Sequence, residues 1–298
     1  MHSLFSRVVN IECETGRLFT LAGSGLDDAP NTAIVDIAEL DACGIALNDP
    51  VVVRKGGLCV GDSVIVDWTS AAIWHASLPQ YENADGSLEN RLDWVQSYLS
   101  RNGPKGGFVD PDPSGIAFAL QISVALQQRS GALLEALEQG QMAAARQHAE
   151  AMIGLGPGLT PAGDDFLVGL FAVLNMRDSP CYGWLAGGKD VLPRAAQSTN
   201  AISLAALTAA AGGQVRQSIS GLIETLIEGT PTRLPKALDR VLAIGSTSGA
   251  DLVAGVLSGL NLNLRIGAIG SGTAPSQEPA VARTQRSLQG STLAAIKS

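Results

Sequence analysis

The sequence predicts an α+β protein: a small N-terminal β-barrel or sandwich domain (residues 1–75), a larger and mainly α-helical domain (76–272), and a polar tail (273–298). Three observations carry this reading. From Leu4 to about Trp68, short apolar and partly alternating runs are punctuated by Gly, Pro, Asn and Asp, the pattern of strands joined by tight turns. From Ser87 onward, apolar residues recur at helical spacing almost without interruption. The chain is also 46% hydrophobic with only 4% aromatic residues and has 34 glycines, which implies helices packed closely through small side chains.

Strands are expected within Ser6–Glu14, at Arg17–Leu21, Thr32–Ile37, Val51–Lys55, Leu58–Val60 and Ser63–Trp68, with tight turns at Lys55-Gly56-Gly57 and Val60-Gly61-Asp62-Ser63. Ala38–Cys43 reads as a short helical turn. Trp68 to Gly86 marks the change of regime. Leu88, Leu92, Val95 and Leu99 then share one helical face, and a Gly/Pro-rich loop runs from Asn102 to Pro113. Ser114 is placed to cap a long helix reaching Gly131 or beyond, and another helix is expected near Gln141–Met152. After a connector at Arg177–Gly188, Val191–Ala211 reads as one helical stretch ended by Gly212-Gly213. Further helices are expected over Gln214–Glu228 and after Thr230-Pro231.

The chain is organised around Gly154-Leu155-Gly156-Pro157-Gly158-Leu159-Thr160-Pro161-Ala162-Gly163-Asp164-Asp165, which feeds directly into the apolar run Phe166–Leu174. Glycines allow close backbone approach and positive φ, and the two prolines stiffen the loop, so it is shaped rather than floppy. A single Asp would suffice to cap the helix, an effect worth about 0.5–2 kcal/mol. Two adjacent carboxylates after such a loop exceed that need and point to a functional site.

A second copy of the pattern lies at Gly245-Ser246-Thr247-Ser248-Gly249-Ala250-Asp251-Leu252-Val253-Ala254-Gly255. Thr160 matches Ser246, Gly163 matches Gly249, Asp165 matches Asp251, and Gly169 matches Gly255. In each helix the last glycine falls one turn beyond the Asp, on the same face, where a missing side chain permits close helix packing. The two loop-to-helix junctions are therefore expected to face one pocket through an approximate internal repeat.

The formal net charge of −8 argues against nucleic acid or an anionic membrane as the main partner, because both need a basic face. The apolar runs, such as Ile116–Leu126, are interrupted and fall short of the roughly 20 residues of a membrane span. Cys13, Cys43, Cys59 and Cys181 form no CxxC pair and are expected as buried free thiols. No basic segment followed by an apolar signal core opens the chain, so a cytoplasmic location is expected. His2, His75 and His148 are too few and scattered for a triad, and the GxGxxG and GxxxxGK[ST] nucleotide signatures are absent.

What remains for chemistry is Asp164, Asp165 and Asp251, with Thr160, Ser246, Thr247 and Ser248 around them. Carboxylates and hydroxyls suit Mg²⁺ or accept from amide N–H groups, while helix N-termini offer N–H donors to an anion. That mixture fits a small substrate that is both amide and carboxylate or phosphate. The expected anion seats are Gly156, Gly158 and Gly163 on one junction and Ser246–Gly249 on the other. The three aspartates are the catalytic candidates, either of Asp165 and Asp251 serving as a general base. Thr199, Asn200 and Ser203 stand in an apolar stretch and must form either a core polar network or a pocket wall, since an unpartnered buried polar group costs about 1–3 kcal/mol.

The stretch Gly154–Gly169 resembles the hallmark of the oxamate carbamoyltransferase subunit family of allantoin catabolism, a family once described only as a domain of unknown function. The Thr199-Asn200-Ile202-Ser203 segment and the Gly249-Asp251-Gly255 junction fit the same family, and the likeness extends to about residue 270. Ala162 stands where many members carry Ser. The resemblance implies transfer of a carbamoyl group from oxalurate to phosphate, giving oxamate and carbamoyl phosphate, within a complex of several different subunits. Two other readings of the same residues stay open: a metal-dependent hydrolase of a small amide or glycosyl compound, and a non-catalytic subunit that binds a metabolite and docks partners.

Overall fold

The computed structural model describes residues 1–62, 64–83, 86–104, 107, 117–229 and 231–272. The expected cap at Ser114, most of the 102–113 loop, Thr230 and the 273–298 tail lie outside the described residues. Alternation in the first segment forms two sheets. β1 (Ser3–Phe5), β2 (Val8–Glu12) and β3 (Leu18–Ala22) make an antiparallel meander, and β4 (Thr32–Ile34) joins β3 in parallel. β5 (Val51–Arg54), β6 (Gly57–Val60) and β7 (Val64–Asp67) make a second antiparallel meander. Val9, Ile11 and Leu21 of the first sheet share one core with Leu58, Val60 and Val64 of the second, closed by Leu40 and Ile45. The arrangement is two sheets over a common core. Strand β1 precedes the expected strands, and the helical turn near Ala38–Cys43 is the 3₁₀ turn Asp41–Cys43.

The helices are α1 (Leu88–Asn102), α2 (Ala117–Glu138), α3 (Met142–Met152), α4 (Ala162–Leu174), α5 (Leu192–Ser198), α6 (Ala201–Ala211), α7 (Gln217–Glu228), α8 (Leu234–Leu242) and α9 (Ser248–Gly272). Every residue of α4 is buried, so this helix is the axis of the second core. α9 crosses it at backbone contact distance. A Cβ on Gly169 would stand 2.1 Å from the Leu252 carbonyl oxygen, and one on Gly255 would stand 2.0 Å from that of Phe166. No side chain other than hydrogen fits at either position, which is the physical reason for a glycine four residues beyond each Asp.

Two expectations need correction. Val191–Ala211 is not one helix. The chain breaks at Thr199, whose φ/ψ of −129°/175° is extended, and Asn200 caps α6 by accepting from the Ile202 and Ser203 N–H groups at 3.0 and 3.1 Å. Side-chain capping by Asn competes with helix continuation and wins here. The chain also contains one helical stretch, Ser248–Ile269, long and apolar enough to cross a membrane by length and composition; 56% of that stretch's most apolar window is buried inside the fold, where it packs on α4 as a core helix does.

Two contacts fix the sheets against the helices. Linker residues Leu78 and Tyr81 pack on the helical core, and the Tyr81 N–H donates to the Arg177 carbonyl at 2.9 Å. In the loop between β3 and β4, Asp27 pairs with Arg216, and the Gln217 N–H at the start of α7 donates to the Asp28 carbonyl at 2.9 Å. At the other end of α7, buried Arg91 donates to the Leu226 and Ile227 carbonyls, satisfying C-terminal acceptors with a cation as the helix dipole favours.

Candidate functional site

The loop before α4 is held in shape by Asp164. Its Oδ1 accepts from the Gly154 N–H at 2.8 Å and its Oδ2 from the Thr199 hydroxyl, with the Ser203 hydroxyl close by. Gly154 has φ of +73°, and a Cβ there would meet the Ser198 carbonyl oxygen at 2.3 Å, so the loop and the α5–α6 break close onto each other only through glycine. Burial raises the Asp164 pKa, and these three groups oppose the rise. Both oxygens are engaged, which makes Asp164 a staple between two loops.

Asp165, one residue on, points elsewhere. It is 7% exposed and lines a cavity of about 460 Å³ between the first sheet and helices α4, α6, α7 and α9. The Thr160 and Ser248 hydroxyls stand beside its carboxyl and hydrogen-bond to each other, their oxygens 2.7 Å apart, while Asp165 Oδ2 is shut off from solvent and has no hydrogen-bond partner. Burial pushes its pKa up to about 8; the nearby charges of Asp251 and Asp164 push the same way, and the hydroxyls of Ser248 and Thr160 pull it back. A carboxyl so placed favours its neutral form at neutral pH. Asp251, fully buried, lies outside the cavity lining. The Gly107 backbone approaches its carboxyl so closely that a Cβ would stand 2.6 Å from Oδ1, and the Ser123 hydroxyl holds the Gly107 carbonyl at 2.9 Å.

Of the residues the sequence singled out, the cavity gathers Thr160, Asp165 and Ser248. Asn200 and Ser203 stand behind it, both donating to the carbonyl of Leu159, a lining residue, at 2.8 and 3.4 Å. Thr199 serves Asp164. Gly156, Gly158, Ser246 and Thr247 do not line the cavity, Gly158 and Ser246 being exposed. The expected anion seat at the two helix N-termini is corrected by the backbone itself. The Gly163 N–H donates to Leu155 O and that of Gly249 to Ile244 O, both at 2.9 Å, while those of Asp164 and Asp165 go to Pro161 O and that of Asp251 to Thr247 O. These bonds occupy donors that an open N-terminus would offer to an anion. Among the described residues, no three His, Cys, Asp or Glu side chains converge as a metal site would require.

The sequence reading missed the opposite wall, formed by Asn10 and Thr20 of the first sheet with Asp27, Gln214 and Arg216. Thr20 donates to Asn10 Oδ1 at 2.9 Å across neighbouring strands. Asp27 and Arg216 are 189 residues apart, and no local pattern pairs them. Burial pushes the Asp27 pKa up, but the Arg216 guanidinium and Ser218 outweigh it and leave the carboxyl below its ordinary range.

An interdomain cavity lined by a buried acid beside two hydroxyls is the equipment of an enzyme subunit that handles a small polar molecule. The sequence places it more closely: residues 1–73 match the AllH family N-terminal domain, and residues 152–260 match the family described as oxamate carbamoyltransferase subunit AllH. The chain belongs to the AllH family. It is a subunit of oxamate carbamoyltransferase, the enzyme of allantoin catabolism that acts on oxalurate and phosphate, and so has partner subunits. No solved structure matches the chain.

Proposed function

We propose that the cavity between the first sheet and the helices is where this subunit handles oxalurate, and that Asp165 is its general acid. In the transfer, a phosphate oxygen attacks the ureido carbonyl carbon of oxalurate, the bond from that carbon to the imide nitrogen breaks, and the nitrogen leaves as the amide of oxamate. That nitrogen must gain a proton as it leaves, and a neutral carboxyl at Asp165 can supply it. In the reverse direction the ionised carboxylate takes the proton back. Thr160 and Ser248 are positioning residues that orient the carboxyl, and Asp164 holds the loop that carries Thr160.

The observation that carries this reading is Asp165 itself, a buried acid that lines the cavity with one carboxyl oxygen left without a hydrogen-bond partner. The test is turnover of the assembled enzyme with Asp165→Asn beside Asp164→Asn, together with calorimetric titration of oxamate into each chain with and without Mg²⁺. Loss of turnover in Asp165→Asn with oxamate still bound is the expected result. Undiminished turnover sinks the proposal, and binding that depends wholly on Mg²⁺ would recast Asp165 as a metal ligand.

A further inference from the structure

An enzyme whose substrates are anions needs cations or N–H donors where the charge sits. Among the described residues lining the cavity, Arg216 is the one cation; the lining also carries two carboxyls, Asp27 and Asp165, and Arg216 is paired with the first. The guanidinium is not idle: Nε donates to Asp27 Oδ1 at 3.1 Å and Nη2 donates to the same oxygen, while the Ser218 N–H in the first turn of α7 donates to Oδ2 at 2.9 Å. A forked guanidinium joined to the N–H groups of a helix start is a receptor for a planar or tetrahedral oxyanion. Here its occupant is the chain's own carboxylate, delivered from the other domain.

A second observation sets this seat apart from an ordinary ion pair. The Ser218 residue is 7% exposed, and its hydroxyl lies beside the Asp27 carboxylate without completing a well-formed hydrogen bond. A buried hydroxyl left so costs about 1–3 kcal/mol unless some ligand uses it. An anion with a third acceptor oxygen, as phosphate has and as oxamate has in its amide carbonyl, would engage the guanidinium, the Ser218 N–H and the hydroxyl together, whereas the two oxygens of Asp27 leave the hydroxyl without a well-formed bond.

We propose that Arg216, which lines the cavity, and Ser218 just behind the lining form an oxyanion subsite at its edge, and that Asp27 is a built-in stand-in which phosphate or the carboxylate of the substrate displaces. This rests on the reading of the cavity as the substrate site. Displacing Asp27 also breaks its ion pair and leaves the loop between β3 and β4 tied to the start of α7 by the Gln217 N–H to Asp28 carbonyl bond, so anion binding is coupled to loosening of the first sheet over the cavity.

The test is calorimetric titration of the full chain with inorganic phosphate and, separately, with oxamate. Asp27→Asn keeps the shape but removes the competing charge, and is expected to tighten one of the two anions at least tenfold over wild type. Arg216→Gln in the same background is expected to abolish that gain. Ser218→Ala leaves the Asp27–Arg216 pair intact and is expected to weaken the same anion several-fold, which guards against an Asp27 variant that has merely loosened the fold. A gain confined to phosphate assigns the subsite to the acceptor substrate, and one confined to oxamate assigns it to the carboxylate end of the donor. Equal affinity in wild type and Asp27→Asn, or no binding by either, overturns the proposal. If turnover still collapses in Asp165→Asn, that failure leaves the general acid standing and removes only the subsite.

Discussion

At α4 the chain ends one helix at Met152, turns through Leu155 and enters the next with Gly163 as its second residue; at α9 it ends a helix at Leu242, turns through Ile244 and enters the next with Gly249 as its second residue. A Cβ on either of these glycines would stand 2.1 Å from a carbonyl oxygen at the end of the preceding helix, that of Met152 or Val241. The same N–H to carbonyl bond, 2.9 Å in both, locks each turn. The helices then cross through Gly169 and Gly255, each against the other's backbone. Yet only the first aspartate reaches the cavity. The difference lies in the connecting loops, 156–162 in one and 245–248 in the other. The longer loop carries Leu159 and Thr160 out to α6 and the sheet, where Asn200 and Ser203 hold it, and so builds a chamber on its own side of the crossing. A repeat thus supplies a rigid crossing, and unequal loops decide which half is given a reacting group.

The sharpest way to break this comparison is to neutralise the two aspartates separately. Asp165→Asn is expected to lower kcat of the assembled enzyme by about 10²–10⁴-fold, the range of general acid–base catalysis, with the fold retained. Asp251→Asn is expected to act first on stability, because its carboxyl meets the Gly107 segment and not the cavity. Kinetics and thermal melting of the two variants measure this. A greater kinetic loss in Asp251→Asn would move the reacting group to the other junction.

The crossing is the next largest effect. Gly169→Ala and Gly255→Ala each press a methyl into a backbone carbonyl, and each is expected to cost at least the upper end of about 1–3 kcal/mol. Because the contacts are reciprocal, the losses should be similar, and the double variant should lose less than their sum, since one separation of the helices relieves both clashes. Denaturant titration checks both statements.

These reciprocal glycines were legible in the sequence, because the need for a missing side chain leaves a mark at fixed distance from the Asp. So were the strands and most helices, whose apolar period is local. The break at Thr199–Asn200 was not, because nothing in an apolar run announces that Asn will accept two backbone N–H groups instead of being carried through a helix. Asp164 and Asp165 read alike as neighbours. What separates them is a direction: successive residues of a helix point about 100° apart, so one meets Thr199 and the other the cavity. The wall with Arg216 and Asp27 was invisible, since its partners meet only after the two domains dock.

A smaller effect separates the neighbouring carboxyls by stability. Thr199→Val removes a donor from Asp164 and is expected to cost about 1–3 kcal/mol, with kcat changed little. For Asp165 the signature is in the pH dependence. Its folded pKa of about 8 lies above the value near 3.8 of an unfolded aspartate, so the native state holds the proton more tightly. Its contribution is fully present below about pH 3.8 and is lost as the pH rises through about 8. Wild type should lose stability across that window relative to Asp165→Asn, measured by denaturation at several pH values.

The finest test concerns one hydroxyl. Ser248 opens α9 where Ala162 opens α4, so Ser248→Ala makes the two helix starts alike. The Ser248 hydroxyl pulls the Asp165 pKa down against burial, and without it the carboxyl should hold its proton to higher pH still. Turnover that needs the neutral acid falls on the alkaline side of about pH 8 in wild type, and this limb should move upward by a fraction of a unit in Ser248→Ala. The maximal rate should drop only modestly, because Thr160 still orients the carboxyl. A limb that stays in place, or moves to lower pH, would mean that the group titrating in the rate profile is not Asp165, whatever the loss of rate in Asp165→Asn. The pH of the limb separates a residue that gives the proton from one that only shapes the cavity.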